Sequence, residues 1–327
     1  MKLLINPSLD PAYNLALEEL LAGDSNDEVL MLWRNAPAII VGCNQNTEAE
    51  INAEAVRKLG IQVVRRITGG GAVYHDPGNI NYTIATNGRQ LDPEAFARNA
   101  EVMIRVLRKL NIPAEFSGRN DILVEGRKIS GSAKSVLRSR TLFHGTLLFD
   151  AELNVLGSVL TPDEEKIRAK GIKSVRSRVA NLKEYMPGLE VDDFMDQLTA
   201  GLLEELNVPA VSCIPAGLSA GAVKLAVEKY RTWQWNFGSR TSYKYSQKKR
   251  FASGCVEVSF NVVDNRIVDL GFSGDFFGNR PVAELAAVLN GTEPRFSAIA
   301  EKISSVDVET FIAGISKEEL LSLFRLG

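Results

Sequence analysis

Two hydrophobic periods take turns along this chain, and each change of period marks an element. Residues 11–21 carry Leu15, Leu17, Leu20 and Leu21 behind Asp10, a residue suited to cap a helix, which predicts a helix entered from a short strand. Residues 29–33 and 38–42 read as strands, 49–59 as a helix, 61–66 as a strand feeding a run of glycines, and 96–110 as a longer amphipathic helix. A hairpin around Gly126, a strand at 145–149 and helical stretches at 191–206 and 222–232 follow. Residues 238–250 are polar and basic with no apolar period, which reads as a linker. Beyond it, 254–263 and 266–273 form a predicted hairpin turning at Asp264-Asn265, and helices are expected at 282–289, 296–303 and 316–326. The pattern therefore divides the chain into a large domain at 1–238, a linker at 239–248 and a small α+β domain at 249–327.

The hairpin can be read closely. Residues 121–124 and 127–130 flank Glu125-Gly126, a two-residue turn. An unbroken ladder sets Leu123 opposite Lys128, Asp121 opposite Ser130, and Ile122 opposite Ile129. Lys128, Asp121 and Ser130 then share one face, while Ile122 and Ile129 face a core. The second unusual segment is Gly69-Gly70-Gly71 behind Arg65-Arg66. Consecutive glycines let backbone N–H groups approach an anion closely and point the same way. An arginine grips an anionic oxygen bidentately where a lysine acts as a point charge, and both are present. The run is neither Gly-x-Gly-x-x-Gly nor a P-loop, so neither nucleotide fold is indicated. Each piece has a plain alternative: a glycine run is often an ordinary turn, and Lys128 or Arg65-Arg66 could be solvated.

These segments fall in a longer series: Trp33-Arg34-Asn35, Arg65-Arg66, Thr68 to Val73, His75-Asp76, Ser117 to Asp121, Arg127 to Ser132, His144-Gly145-Thr146 and Lys170 to Val179. In order and spacing the series resembles the lipoate-protein ligases, from the N-terminus to Trp233 to Gly238 and more weakly beyond. The resemblance implies an α+β fold with a large mixed-sheet catalytic domain of the biotin/lipoate ligase type and a small C-terminal domain. It implies ATP and Mg2+ as co-substrates, formation of lipoyl-AMP, and transfer of the lipoyl group to a lysine of a lipoyl-domain carrier. Lys128 would contact both the acyl carbonyl and the α-phosphate. Arg66, Gly71, Ala72, Val73 and Tyr74 would line the nucleotide. Asn120 and Asp121 would reach adenosine, phosphate or magnesium, with Asp121 the metal contact. Trp33, Arg66, Gly70, Gly71, His75, Lys128, Ser130 and His144 would border the substrate. Lys170, Lys173, Arg176 and Arg178, otherwise a solvated basic loop, would close over the adenylate. By base rate His75 and His144 are structural, hydrogen-bonded residues.

Composition adds exclusions. With 327 residues, 45% of them hydrophobic, the chain has room for one large core and one small one. A net charge of −2 gives no general attraction to nucleic acid or to an anionic membrane. Cys43, Cys213 and Cys255 are far apart without a Cys-x-x-Cys, and with only His75 and His144 beside them they support neither a disulfide framework nor structural zinc. No secretory h-region or long apolar span is present, so a soluble cytoplasmic protein, working as a monomer, is expected. Cys43 keeps a second function open. Related octanoyl or lipoyl transferases form a cysteine thioester and need no ATP. A third reading is a non-catalytic lipoate-binding or carrier-docking protein.

Overall fold

A computed structural model of the chain describes residues 1–23, 25, 27–92, 94–160, 179–238 and 244–324. Its strands are β1 (Lys2–Asn6), β2 (Val29–Arg34), β3 (Ala38–Val41), β4 (Gln62–Arg65), β5 (Val73–His75), β6 (Asn79–Asn87), β7 (Ala114–Ser117), β8 (Asp121–Val124), β9 (Arg127–Leu137) and β10 (Arg140–Leu148), then β11 (Tyr245–Phe251), β12 (Gly254–Val263) and β13 (Arg266–Gly274). A seven-stranded mixed sheet runs β1-β2-β6-β10-β9-β8-β7, a small sheet runs β4-β3-β5, and the C-terminal module carries β11-β12-β13.

Alternation along the central strands assigns the two faces of the large sheet. Leu30 and Leu32 of β2, Ile80, Tyr82 and Ile84 of β6, and Phe143 and Leu147 of β10 enter one core. Helices Ala95–Lys109 and Val191–Glu205 cover it, and Phe149 stacks on Phe194 at 4.5 Å between ring centres. On the other face Met31 and Trp33 pack with helix α1 (Pro11–Gly23) and with Ala222, Ala226 and Tyr230. That face also carries the polar row Asn79, Asn81 and Thr83 of β6, all buried.

Several predicted elements are redrawn. The helix expected at 49–59 is two short ones, Thr47–Glu50 and Ala53–Leu59, interrupted where Ile51 bridges to Leu160. Asn52 caps the second by accepting from the Ala55 N–H. β11 begins at Tyr245, inside the stretch read as linker. It is an edge strand whose residues are mostly exposed, so it has no apolar period of its own. The Asp264-Asn265 turn is present, both residues having positive φ as a type I′ turn requires. The C-terminal helix is shorter than expected, ending at Leu321 before a single 3-10 turn.

Candidate active site

The site-facing surface of the large sheet follows from strand register. Asn81 lies between Trp33 on β2 and Thr146 on β10, and Thr83 between Met31 and His144. The Gly131 N–H donates to Thr146 Oγ1, which extends the same row onto β9. Above this floor lies a cavity of about 530 Å³, walled by the glycine turn and β5 on one side, the β8–β9 hairpin on another, and Ser253, Asp275 and Phe277 of the C-terminal module on a third.

Arg66 organises the glycine turn from beneath. Its Nε donates to Thr68 Oγ1 at 2.9 Å, one terminal nitrogen to the Ile40 carbonyl at 2.9 Å, and the other to the Gly69 and Gly71 carbonyls at 2.8 Å each. In a planar trans peptide the N–H opposes the C=O. Drawing the Gly69 and Gly71 carbonyls toward Arg66 therefore turns the Gly70 and Ala72 N–H groups away from it. Burial pulls the guanidinium down to about 10, which leaves it charged at neutral pH. The turn also needs close backbone approach, since a Cβ on Gly42 would come within 2.0 Å of the Gly70 carbonyl oxygen. Arg65 is likewise committed, donating to the carbonyls of Gly42, Gln45 and Trp235 and to Thr47 Oγ1. Both guanidinium groups thus hold backbone, and Arg66 also borders the cavity.

The hairpin differs from its predicted ladder by one residue. Leu123 does face Lys128, but Ile122 faces Ser130 and Asp121 faces Gly131, with Ile129 bulged between. The bulge lets Ile129 and Ser130 both turn inward, Ser130 lying buried against Tyr82. Ser130 is therefore not on the Lys128 face and does not border the cavity. Gly131 takes its place, and its missing side chain makes room for the cation, because a Cβ there would lie 2.6 Å from Lys128 Nζ. Lys128 Nζ meets Asp121 Oδ1 at 2.7 Å, both side chains being about one-third exposed. Asn120 is pinned by exchange with Ser132, its Nδ2 donating to the Ser132 carbonyl.

Between turn and floor runs a buried polar network. Thr68 Oγ1 meets His144 Nε2 at 2.8 Å, His144 Nδ1 meets Glu18 Oε1 at 3.1 Å, and Thr83 Oγ1 donates to Glu18 at 2.5 Å. Trp33 Nε1 donates to Thr83 Oγ1 at 2.8 Å, so the indole is fixed by the same carboxylate that orients His144. His75 is buried on the other side of Trp33, and burial with the nearby Arg66 and His144 lowers it to about 3, keeping it neutral.

Trp33, Arg66, Gly70 to His75, Asn120, Asp121, Lys128 and His144 all border this cavity. Lys170, Lys173, Arg176 and Arg178 lie outside the described residues. Glu18, Asn79, Asn81 and Thr83 were not foreseen, and Thr68 and Arg119 stood in the sequence motifs without an assigned role. The strict alternation of Asn79, Asn81 and Thr83 with Ile80, Tyr82 and Ile84 could have shown a strand with a polar inner face. Arg119 donates to the Ser253 carbonyl and stacks over the Phe277 ring at 4.5 Å, tying the small module to the hairpin. Cys43 borders a different, larger cleft with Trp235 and Phe272, and burial pushes its thiol up from the ordinary value. Among the described residues no cluster of three or more His, Cys, Asp or Glu side chains could hold a metal.

Residues 10–203 match the lipoyl protein ligase A/B catalytic domain, and residues 240–324 match the bacterial lipoate protein ligase C-terminus. The chain is 37% identical to lipoate-protein ligase LplJ of Bacillus subtilis, covering 96% of each chain. It is 36% identical to lipoate-protein ligase 1 of Staphylococcus aureus, covering 99% of each. Among solved structures it superposes on LipL1 of P. falciparum in complex with lipoate with a TM-score of 0.79, at 28% identity and 94% coverage of both chains. A lipoate-protein ligase A bound with ATP gives 0.63, at 27% identity over 72% of this chain and 98% of the other. With both halves matched over nearly their whole length, the chain belongs to the lipoate-protein ligase family.

Proposed function

We propose that this protein activates lipoate with ATP and passes the lipoyl group to a specific lysine of lipoyl domains, in 2-oxoacid dehydrogenase E2 subunits or the glycine cleavage H protein. The observation that carries the reading is convergence: Lys128 and the turn residues Gly70 to Ala72 border one cavity. In the first step a lipoate carboxylate oxygen attacks the α-phosphorus. The bond to the β-phosphate oxygen breaks and pyrophosphate leaves. Both reactants are anionic, and Lys128 beside both reacting groups offsets their repulsion and holds them in line. Magnesium would enter with the nucleotide and neutralise phosphate charge; one carboxylate with phosphate oxygens is an ordinary Mg2+ set, and Asp121 would supply the carboxylate.

In the second step the carrier amine attacks the acyl carbon and AMP leaves. A lysine with a pKa of about 10.4 is almost wholly protonated at pH 7, so the amine must lose a proton first. Asp121, already bonded to Lys128, is the cavity carboxylate nearest that ammonium and a candidate for that electrostatic task. The reaction is assigned to a monomer in the cytoplasm.

The alternative thioester route would place Cys43 beside the bound acyl group. Cys43 borders the separate cleft with a raised thiol pKa, which favours the ligase. Lipoate-dependent exchange of labelled pyrophosphate into ATP is the test. Exchange is expected here. Acyl transfer from an acyl carrier without nucleotide would overturn the reading in favour of a transferase, and lipoate binding without either activity would favour a binding protein.

A further inference from the structure

On the sheet side of this cavity three buried polar atoms have no hydrogen-bond partner among the described residues, His75 Nε2, Asn79 Oδ1 and Asn81 Nδ2; Ser253 Oγ, on the C-terminal module, is in the same state. The three sheet-side residues are 4%, 0% and 1% exposed. Leaving buried donors and acceptors unpaired is costly, so such a cluster in a cavity wall points to a ligand.

The state of His75 can be derived. Asn14 Nδ2 donates to the backbone carbonyls of Ser8 and Arg34, which fixes the orientation of that amide. The Asn35 atom that accepts from Asn14 Nδ2 at 2.8 Å is therefore Oδ1. Asn35 Nδ2 must then face His75 Nδ1, 3.0 Å away, and donate to it. With Nδ1 accepting, a neutral His75 carries its proton on Nε2. Asn79 Nδ2 is used on Asn81 Oδ1 at 2.9 Å, which leaves Asn81 Nδ2 as a second unpaired donor beside Trp33.

Position adds the chemistry. Lys128 Nζ lies over Gly131, Gly131 is bonded to Thr146, and Asn81 is the cross-strand partner of Thr146. Neighbouring strands are about 4.8 Å apart, so Asn81 lies about 10 Å from the strand beneath the cation. That is the reach of an extended medium-chain acid whose carboxyl group is at Lys128. We propose that His75 Nε2–H and Asn81 Nδ2–H, the latter oriented by Asn79, form a polar end to the acyl cavity that recognises the dithiolane sulfurs of the acid. They select it over a plain alkyl acid of the same chain length. The proposal rests on the ligase reading and concerns which acid the site prefers. Sulfur is a weak acceptor, so each contact is modest. An alkyl methyl group leaves the donors wholly unpaired, and sites built on buried donors discriminate through that loss.

The test compares lipoate with octanoate in pyrophosphate exchange, using the full-length protein and Asn81→Leu. The wild-type kcat/KM should favour lipoate by about tenfold or more, and Asn81→Leu should bring the ratio near one with the KM for ATP unmoved. A second measurement needs no substitution. With His75 and His144 the only histidines, nitrogen NMR of labelled protein should show His75 as the Nε2–H tautomer, its resonance shifted by lipoate and much less by octanoate. A ratio that survives in Asn81→Leu, a rise in the KM for ATP instead of the acid, or equal His75 shifts from both acids would overturn the proposal. If the wild-type protein exchanges with neither acid while lipoate alone still shifts His75, the ligase reading fails and the polar end stands.

Discussion

The glycine turn and the β8–β9 hairpin border the same cavity and are held by opposite means. The turn is backbone shaped by a buried cation: Arg66 reaches Thr68 and the carbonyls of Ile40, Gly69 and Gly71, and is 5% exposed. The hairpin brings a side-chain cation, Lys128, whose partner Asp121 is itself about one-third exposed and free to trade one charge for another. Structure and binding are thus inseparable in the turn, while in the hairpin they come apart.

The sharpest way to break this contrast is to strip each region of its cation. Arg66→Met leaves several buried oxygens unpaired, and the free energy of unfolding should fall by about 3–5 kcal/mol in urea titrations, with exchange activity lost alongside. Lys128→Ala should cost about a hundredfold to a thousandfold in pyrophosphate exchange, the scale of one preorganised donor. Its stability should change by less than about 1 kcal/mol, because the ion pair it breaks is partly exposed. If Lys128→Ala unfolds as readily as Arg66→Met, the distinction fails.

Acid should separate the regions too. His75 follows the turn on β5 and is held near 3, against 6.5 for an ordinary histidine. The unfolded chain takes up the proton first, so His75 removes stability as pH falls below about 6.5 and goes on doing so down to its folded value. Between neutrality and pH 5 the loss amounts to about 2 kcal/mol, and a His75→Phe protein should show a correspondingly flatter stability profile over that range. The smallest effect concerns Gly131. In Gly131→Ala the new methyl clashes with the flexible end of Lys128 and meets Asp121 Oδ1 at ordinary contact, so the protein should fold normally while the displaced ammonium lowers exchange by about tenfold.

The same contrast governs what was legible beforehand. The hairpin follows alternation and turn chemistry, and its turn was placed correctly, although its second strand runs on to Leu137. The Ile129 bulge escaped because a one-residue insertion leaves the local pattern intact and is decided by which side chains the core admits. The glycine turn was recognisable as a turn, but the task of Arg66 was not. A guanidinium next to glycines reads as a ligand contact until three-dimensional packing reveals the carbonyls it holds. β6 was missed for a related reason: its inner face is asparagine and threonine, polar as a solvent-facing row would be, yet buried because it floors the site. Glu18 is concealed in the same way, one of two adjacent glutamates in a mostly apolar helix, with partners Thr83 and His144 far away in sequence.

One hydrogen bond ties these regions to the third wall. The Gly70 N–H donates to the carbonyl of Phe276 in the C-terminal module, at 3.3 Å. On the proposed reading, a phosphate oxygen seeking that amide would compete with a peptide oxygen for a single proton, making nucleotide and module rivals. By reciprocity, the factor by which the seated module would weaken ATP is the factor by which saturating ATP would loosen the seat.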